Sequence, residues 1–97
     1  MAIRMIDEGD SLAFPDFKDG AKLPELITVL AAALETQALR PIGSPLERLI
    51  HFAGYPERLA LWWDGFTCEL GTGSAADPTM DDVRQRLLAS ERFSLAE

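Results

Sequence analysis

Cys68 is the single cysteine of the chain and His51 the single histidine, so these two side chains hold all of its thiol and imidazole chemistry. A thiol becomes a useful nucleophile when a neighbouring base or a helix N-terminus lowers its pKa. Nothing in the sequence brings His51 to Cys68, and a core thiol beside an unrelated histidine is the simpler reading. One cysteine also excludes an intramolecular disulfide framework and a cysteine-rich zinc site. Asp7, Glu8 and Asp10 could offer oxygens to a hard divalent cation such as Ca²⁺. They lack the Asp-x-Asp-x-Asp-Gly…Glu pattern that would make such a loop specific, and a solvated acidic segment explains them as well. Gly71-Thr72-Gly73-Ser74 has the composition of a phosphate loop without its Gly-Lys-Ser/Thr ending. No spacing of carboxylates singles out an acid/base pair. The expectation is therefore no catalytic residue, no cofactor and no metal site.

Two other groups of residues suit the binding of a partner. The first is the segment 7–19, which holds Asp7, Glu8, Asp10, Asp16 and Asp19 against Lys18 alone, with Leu12, Phe14 and Phe17 among them. Carboxylates steer a basic partner while aromatic rings fill its pockets. Alternatively, Phe14 and Phe17 tuck under the domain, as large aromatics in small cores do. The second group centres on Trp62, which strand alternation places with Arg58, Thr67 and Glu69. Covered by a helix, that face is ordinary core. Left bare, a tryptophan ringed by charges has the make-up of an interface hot spot.

The whole-chain numbers narrow the setting. Ninety-seven residues suit one domain spanning 1–97, and 47% apolar with 26% charged residues is an ordinary globular composition. Sixteen acidic residues against nine basic ones give a formal charge of −7. That balance repels phosphate backbones, and the basic residues are scattered rather than gathered into a patch, so no nucleic acid partner is expected. The N-terminal apolar stretch breaks at Asp7, short of a signal-peptide core, and Leu26 to Leu34 falls short of the roughly 20 residues of a membrane span. A protein that is soluble and cytoplasmic, with no membrane partner, is expected, and its lone thiol suits a reducing compartment.

The elements that must position these residues follow from periodicity and punctuation. Leu23, Ile27, Leu30, Leu34 and Ala38 recur at helical spacing, with Pro24 in the first turn and Arg40-Pro41 as a stop, predicting a helix over about 23–39. Leu26, Val29 and Ala33 add a second apolar row, so this helix is either central or half of a dimer contact. Ser44-Pro45-Leu46-Glu47 reads as a capping box, and Leu46, Leu49, Ile50 and Ala53 then predict a second helix over about 45–53, closed by Gly54. Asp64-Gly65 is a preferred two-residue hairpin turn. It sets Trp63 opposite Phe66, Leu61 opposite Cys68 and Leu59 opposite Leu70, with all six on one face. Asp77-Pro78-Thr79 opens a third helix, with Thr79 and Asp82 in a capping-box-like relation and Met80, Val83, Leu87 and Leu88 as its buried stripe. Residues 2–6 and 93–95 are candidate strands.

The expected fold is α+β, with three helices packed on a small antiparallel sheet centred on the 58–70 hairpin, in the order (β)-α-α-β-β-α-(β). The expected role is a small acidic protein-interaction module, with a protein partner or a second copy of itself (a homodimer) as its target. Trp62, Arg58, Thr67, Glu69, Phe14 and Phe17 are its candidate contact residues. A small-molecule or catalytic domain built on carboxylates and His51, and an accessory subunit of a larger assembly, are the alternatives.

Overall fold

Strands outnumber helices in the computed structural model, which describes residues 2–96. In chain order the elements are β1 (Ile3–Asp7), β2 (Ser11–Ala13), a single 3₁₀ turn (Pro15–Phe17), α1 (Leu23–Ala33), β3 (Ile42–Ser44), β4 (Glu47–His51), β5 (Ala60–Trp63), β6 (Cys68–Gly71), α2 (Pro78–Ala89) and β7 (Phe93–Leu95). The seven strands form one sheet in the order β3-β4-β5-β6-β2-β1-β7. Only the β1–β7 pair is parallel; the other pairs are antiparallel. The expected three helices on a small antiparallel sheet are thus corrected to two helices on a large mixed sheet.

Both helices bury their apolar stripes in one cluster with the inner sheet face. Met5, Leu12, Ile50, Leu61 and Leu70 from the sheet are fully buried with Leu26 and Leu30 of α1 and Met80, Val83 and Leu87 of α2. Leu88, expected in the α2 stripe, is 41% exposed. α2 begins where its sequence predicts, but the cap is the Asp77 carboxylate, which accepts from the Thr79 backbone N–H at 2.9 Å with Pro78 in the first turn. Asp82 of the expected Thr79–Asp82 pair accepts from Arg86 instead.

α1 stops six residues short of the expected end at 39. Its last turn closes with Thr36 N donating to the Ala31 carbonyl at 2.9 Å and Glu35 N to Ala32 at 3.2 Å. That is the Schellman arrangement, with Glu35 in the left-handed position at φ 54°. Glycine usually marks this stop. A glutamate in its place hides the end from sequence, and the chain turns early so that Ala38 can bridge to Phe52.

The helix expected over 45–53 is a β-hairpin, β3–β4. Ser44 pairs with Glu47 across Pro45 and Leu46. The Ser44 hydroxyl accepts from the Leu46 N–H at 3.2 Å, a local bond that serves a turn as well as a helix cap. What decides between the two is the ladder beyond: Arg48, Leu49, Ile50 and His51 each find a partner on β5. Apolar residues spaced for one helix face are then divided, with Ile50 in the core, Leu49 on the opposite face and Leu46 at the exposed tip.

The β5–β6 hairpin is present, but its register differs from the expected one. Trp63 pairs with Cys68 and Leu61 with Leu70, so Asp64 to Thr67 form a four-residue loop. Asp64 Oδ1 accepts from Phe66 N at 2.9 Å, Thr67 N at 2.8 Å and Thr67 Oγ1 at 3.1 Å, and Gly65 adopts φ 88°. A carboxylate collecting three donors favours this wider turn over the two-residue one. The slip amounts to two positions, and side chains alternate with period two, so the strand residues keep their faces. Phe66 alone is expelled, to 80% exposure.

This register separates two substitutions sharply. Phe66→Ser is expected to change stability by less than about 0.5 kcal/mol, whereas Leu61→Ala should cost about 2–5 kcal/mol. Urea unfolding of both variants checks it, and a large loss from Phe66→Ser would contradict the four-residue loop.

Candidate functional site

The sheet face turned away from the helices is uncovered. Pairing aligns one transverse row across six strands on it, Ile42, Leu49, Trp62, Glu69, Ala13 and Ile6. Ile42, Trp62 and Ile6 are exposed by 59%, 37% and 41%, an apolar surface interrupted by one carboxylate. The adjacent row reads His51, Ala60, Gly71 and Ser11, small side chains beyond the histidine. Large residues beside small ones make a concavity. It opens on about 620 Å³, with the small residues Ala60, Gly71 and Ser11 as floor and Trp62, Leu49, Glu8, Asp10 and Glu69 around them. Gly71 is required in this floor, because a Cβ there would overlap the Asp10 carbonyl oxygen and crowd Ser11.

The carboxylate side is built on the β1–β2 turn. Arg84 of α2 holds that turn from below, with Nε 2.7 Å from Asp7 Oδ2 and Nη2 donating to Asp7 Oδ1 at 3.1 Å and to the Gly9 carbonyl. Asp7 also accepts from the Gly9 N–H at 2.9 Å. This backbone bond and then Arg84 hold its carboxyl below the usual range. Asp7 is thereby committed to structure, and the cation-binding trio considered from sequence is split. Among the described residues no group of three His, Cys, Asp or Glu side chains is placed to hold a metal ion. Glu8 and Asp10 are left on the rim of the concavity.

Glu69 meets Glu8 there. The hydrogen bond between the two carboxyls, partial burial, and the charges of Glu8, Asp10 and Asp64 push the Glu69 pKa up to about 7. Arg58 also borders the concavity, but its guanidinium is engaged by Asp77 through Nε and, at 3.3 Å, through Nη2. That partner, with the Thr79 N–H, holds the Asp77 carboxyl far below the usual carboxylate range. Arg58 therefore answers Asp77 rather than Glu69. Among the described residues no lysine or arginine makes an ion pair with Glu8, Asp10 or Glu69.

The candidate contact residues divide accordingly. Trp62, Glu69 and Arg58 line one concavity. Thr67 does not line it, and its hydroxyl is bonded to Asp64. Phe14 and Phe17 are in the core instead, fully buried and 8% exposed. Phe14 packs edge-on against Phe93 with ring centroids 5.9 Å apart, so neither ring is offered to a partner. Leu49, Glu8 and Asp10 join Trp62 through long-range pairing that no local pattern announces. The acidic run around residue 8 was visible in sequence, though not its position beside β6.

Cys68 and His51 lie on opposite faces of the sheet. Cys68 is 2% exposed on the inner face, where burial and then the Glu69 charge push its thiol up to about 12. His51 pairs with Ala60 on the outer face. They form no nucleophile–base pair. The apolar first helix is largely consumed by the fold as well, with Leu23, Leu26, Leu30 and Leu34 buried and Ile27, Val29, Ala31 and Ala33 packed against the core. Among the described residues no helix is long and apolar enough to cross a membrane.

Comparison with known proteins adds no relative: no family description, curated protein or solved structure matches this chain.

Two measurements check this site. Native Cys68 should react with iodoacetamide at pH 8 at least about 100-fold more slowly than in urea, since the thiolate is the reactive form. A rate close to that of the unfolded chain would contradict its inward placement. Glu69 ionises near pH 7 when folded and near its ordinary 4.5 when unfolded. Between those values the folded state holds the extra proton, so this group's contribution to stability falls as pH rises from about 4.5 to 7 and is level above. Glu69→Gln is expected to flatten the melting temperature across that window and raise it by about 2–4 °C at pH 8. A lower melting temperature at pH 8 would contradict the carboxyl pair.

Proposed function

We propose that this chain is a protein-interaction module that docks its partner on the uncovered face of the sheet. The observation that carries the proposal is Trp62: a tryptophan held on an interior strand, 37% exposed, in the middle of a face that no helix covers. Sheets usually bury both faces or present a polar outer one. A transverse row of Ile42, Leu49, Trp62, Glu69, Ala13 and Ile6, apolar but for its one carboxylate, is neither. Tryptophan dominates interface hot spots because a large rigid ring excludes much water at little loss of side-chain freedom. The surrounding frame is rigid. β5 is bonded to β4 on one side and β6 on the other, so Trp62 is presented without reorganisation of the backbone.

The remaining surface supports the same reading. Leu49 beside Trp62 extends the apolar centre, while Glu8, Asp10, Glu69 and Arg58 supply a charged rim. An apolar centre inside a polar rim is the anatomy of a protein–protein contact. A reducing, cytoplasmic setting belongs to this proposal, on the strength of the lone thiol.

Photo-crosslinking tests it. Benzoylphenylalanine replaces Trp62, Leu49 or, as a control, Leu88, which is exposed to a similar degree on α2. Positions 62 and 49 are expected to give the same discrete protein adduct in cells and position 88 none. Trp62→Ala combined with the probe at 49 should reduce that adduct about tenfold or more while the fold, read by circular dichroism, is kept. Absence of adducts at 62 and 49, or an equal adduct at 88, would overturn the proposal.

A further inference from the structure

We infer that the segment received by this face is basic, and that it places an arginine or lysine between the Trp62 ring and the carboxylates of Glu8, Asp10 and Glu69. This rests on the reading of the outer sheet face as a docking surface and specifies the chemistry of its partner.

The argument is one of charge balance. The three carboxylates border a single concavity with Trp62, and among the described residues none has an ion-pair partner. The arginines near this region are committed elsewhere, and Lys18, which borders an adjoining depression with Glu8 and Glu69, pairs with neither. Arg58 is bound to Asp77, Arg84 to Asp7 and Asp81, and Arg4 to Asp16 at 3.0 Å. A wholly apolar partner seated on Trp62 and Leu49 would strip water from these carboxylates and return nothing, which is costly for unpaired charges. A second copy, face to face, would bring another set of carboxylates toward the first. The chain's net charge of −7 opposes that approach and also opposes any phosphate backbone. A cationic side chain meets every group at once. Its charge neutralises the Glu8–Glu69 pair, its aliphatic stem lies along Leu49, and its head can rest on the indole face as a cation–π contact. Arginine suits the carboxylates further, because its planar fork bonds two oxygens together.

The arrangement also gives specificity. Glu69 stands in the row between Trp62 and Ala13, so an apolar side chain crossing the row meets a carboxyl at its middle. Partners lacking a positive charge at that position are disfavoured by an unpaired group, a stronger discriminator than lost contact area.

Titration of the ¹⁵N-labelled full chain with tetra-arginine amide at pH 8 and low salt tests the inference. The indole N–H of Trp62 and the amide of Gly71 are expected to shift saturably; tetra-glutamate should shift neither. Glu8→Gln and Glu69→Gln should each weaken the binding about tenfold, read from the same resonances. Glu25→Gln, an equal loss of charge on α1 behind the sheet, should leave it unchanged. Raising sodium chloride from about 20 to 200 mM should weaken it several-fold. Equal weakening by Glu25→Gln, or shifts spread over the whole surface, would overturn the inference as mere attraction to an acidic protein. If position 62 crosslinks a partner in cells while tetra-arginine moves neither resonance, the basic chemistry is wrong and the docking face stands. A crosslinked adduct of twice the chain's mass would likewise replace the basic partner by a second copy. Failure of both experiments removes the docking face itself.

Discussion

β5 presents Leu61 and Trp63 to one side of the sheet and Trp62 to the other, and most of the molecule's organisation depends on that alternation. The strand is hydrogen-bonded along both edges, so it cannot rotate to hide all three residues. Burying Leu61 and Trp63 against the helices therefore obliges Trp62 to face outward. The choice of side is anchored on Trp63. Its indole N–H donates to the Lys18 carbonyl at 2.9 Å, and its ring lies so close to Gly20 that a Cβ there would sit 2.9 Å from Cζ2. An indole whose one polar group is bonded and whose ring is enclosed is the inner tryptophan; the other stays at the surface.

The outer face takes its character from this constraint. α1 and α2 have joined the inner cluster, leaving no element to lie over Leu49, Trp62 and Ile6. Small residues in the next row then give the face its depth, and Gly71 is small because the Asp10 backbone comes so near. The charges are distributed just as unevenly. Arg84, Arg58 and Arg4 are spent on Asp7, Asp77 and Asp16, where they tie the β1–β2 turn to α2, the start of α2 to the segment before β5, and the 3₁₀ turn to β1. Glu8, Asp10 and Glu69, which pair with no lysine or arginine among the described residues, border the concavity. Arginines spent on structure thus leave three carboxylates beside Trp62 without a cation.

Local chemistry was legible where it was unambiguous. Asp77-Pro78-Thr79 opens α2 because a capping carboxylate and a helix-compatible proline agree. Asp64-Gly65 marks a reversal, and the alternation around it sorts the flanking residues even though the loop is two residues wider. Ser44-Pro45-Leu46-Glu47 misleads because its serine–backbone bond belongs equally to a turn and to a helix cap. The end of α1 was invisible because Glu35 takes a left-handed conformation that its residue type does not advertise. β2 lies within an acidic segment and is too short to show a period. Of the candidate site, the grouping of Trp62, Arg58 and Glu69 was readable from strand alternation. The addition of Glu8, Asp10 and Leu49, and the removal of Phe14 and Phe17 to the core, were not.

The sequence by itself determined which strand residues of the central hairpin share a face, where the second of the two helices begins, and that the chain carries an excess of negative charge. Turn chemistry, capping and side-chain alternation act between residues a few positions apart, so a linear reading captures them. The tertiary structure decided that residues 42–51 form strands and that the outer face stays bare. It also decided that Glu8 meets Glu69. These outcomes depend on pairings between distant segments, in which a ladder with β5 outweighs a weak local preference for helix and a single partner fixes the environment of a whole strand.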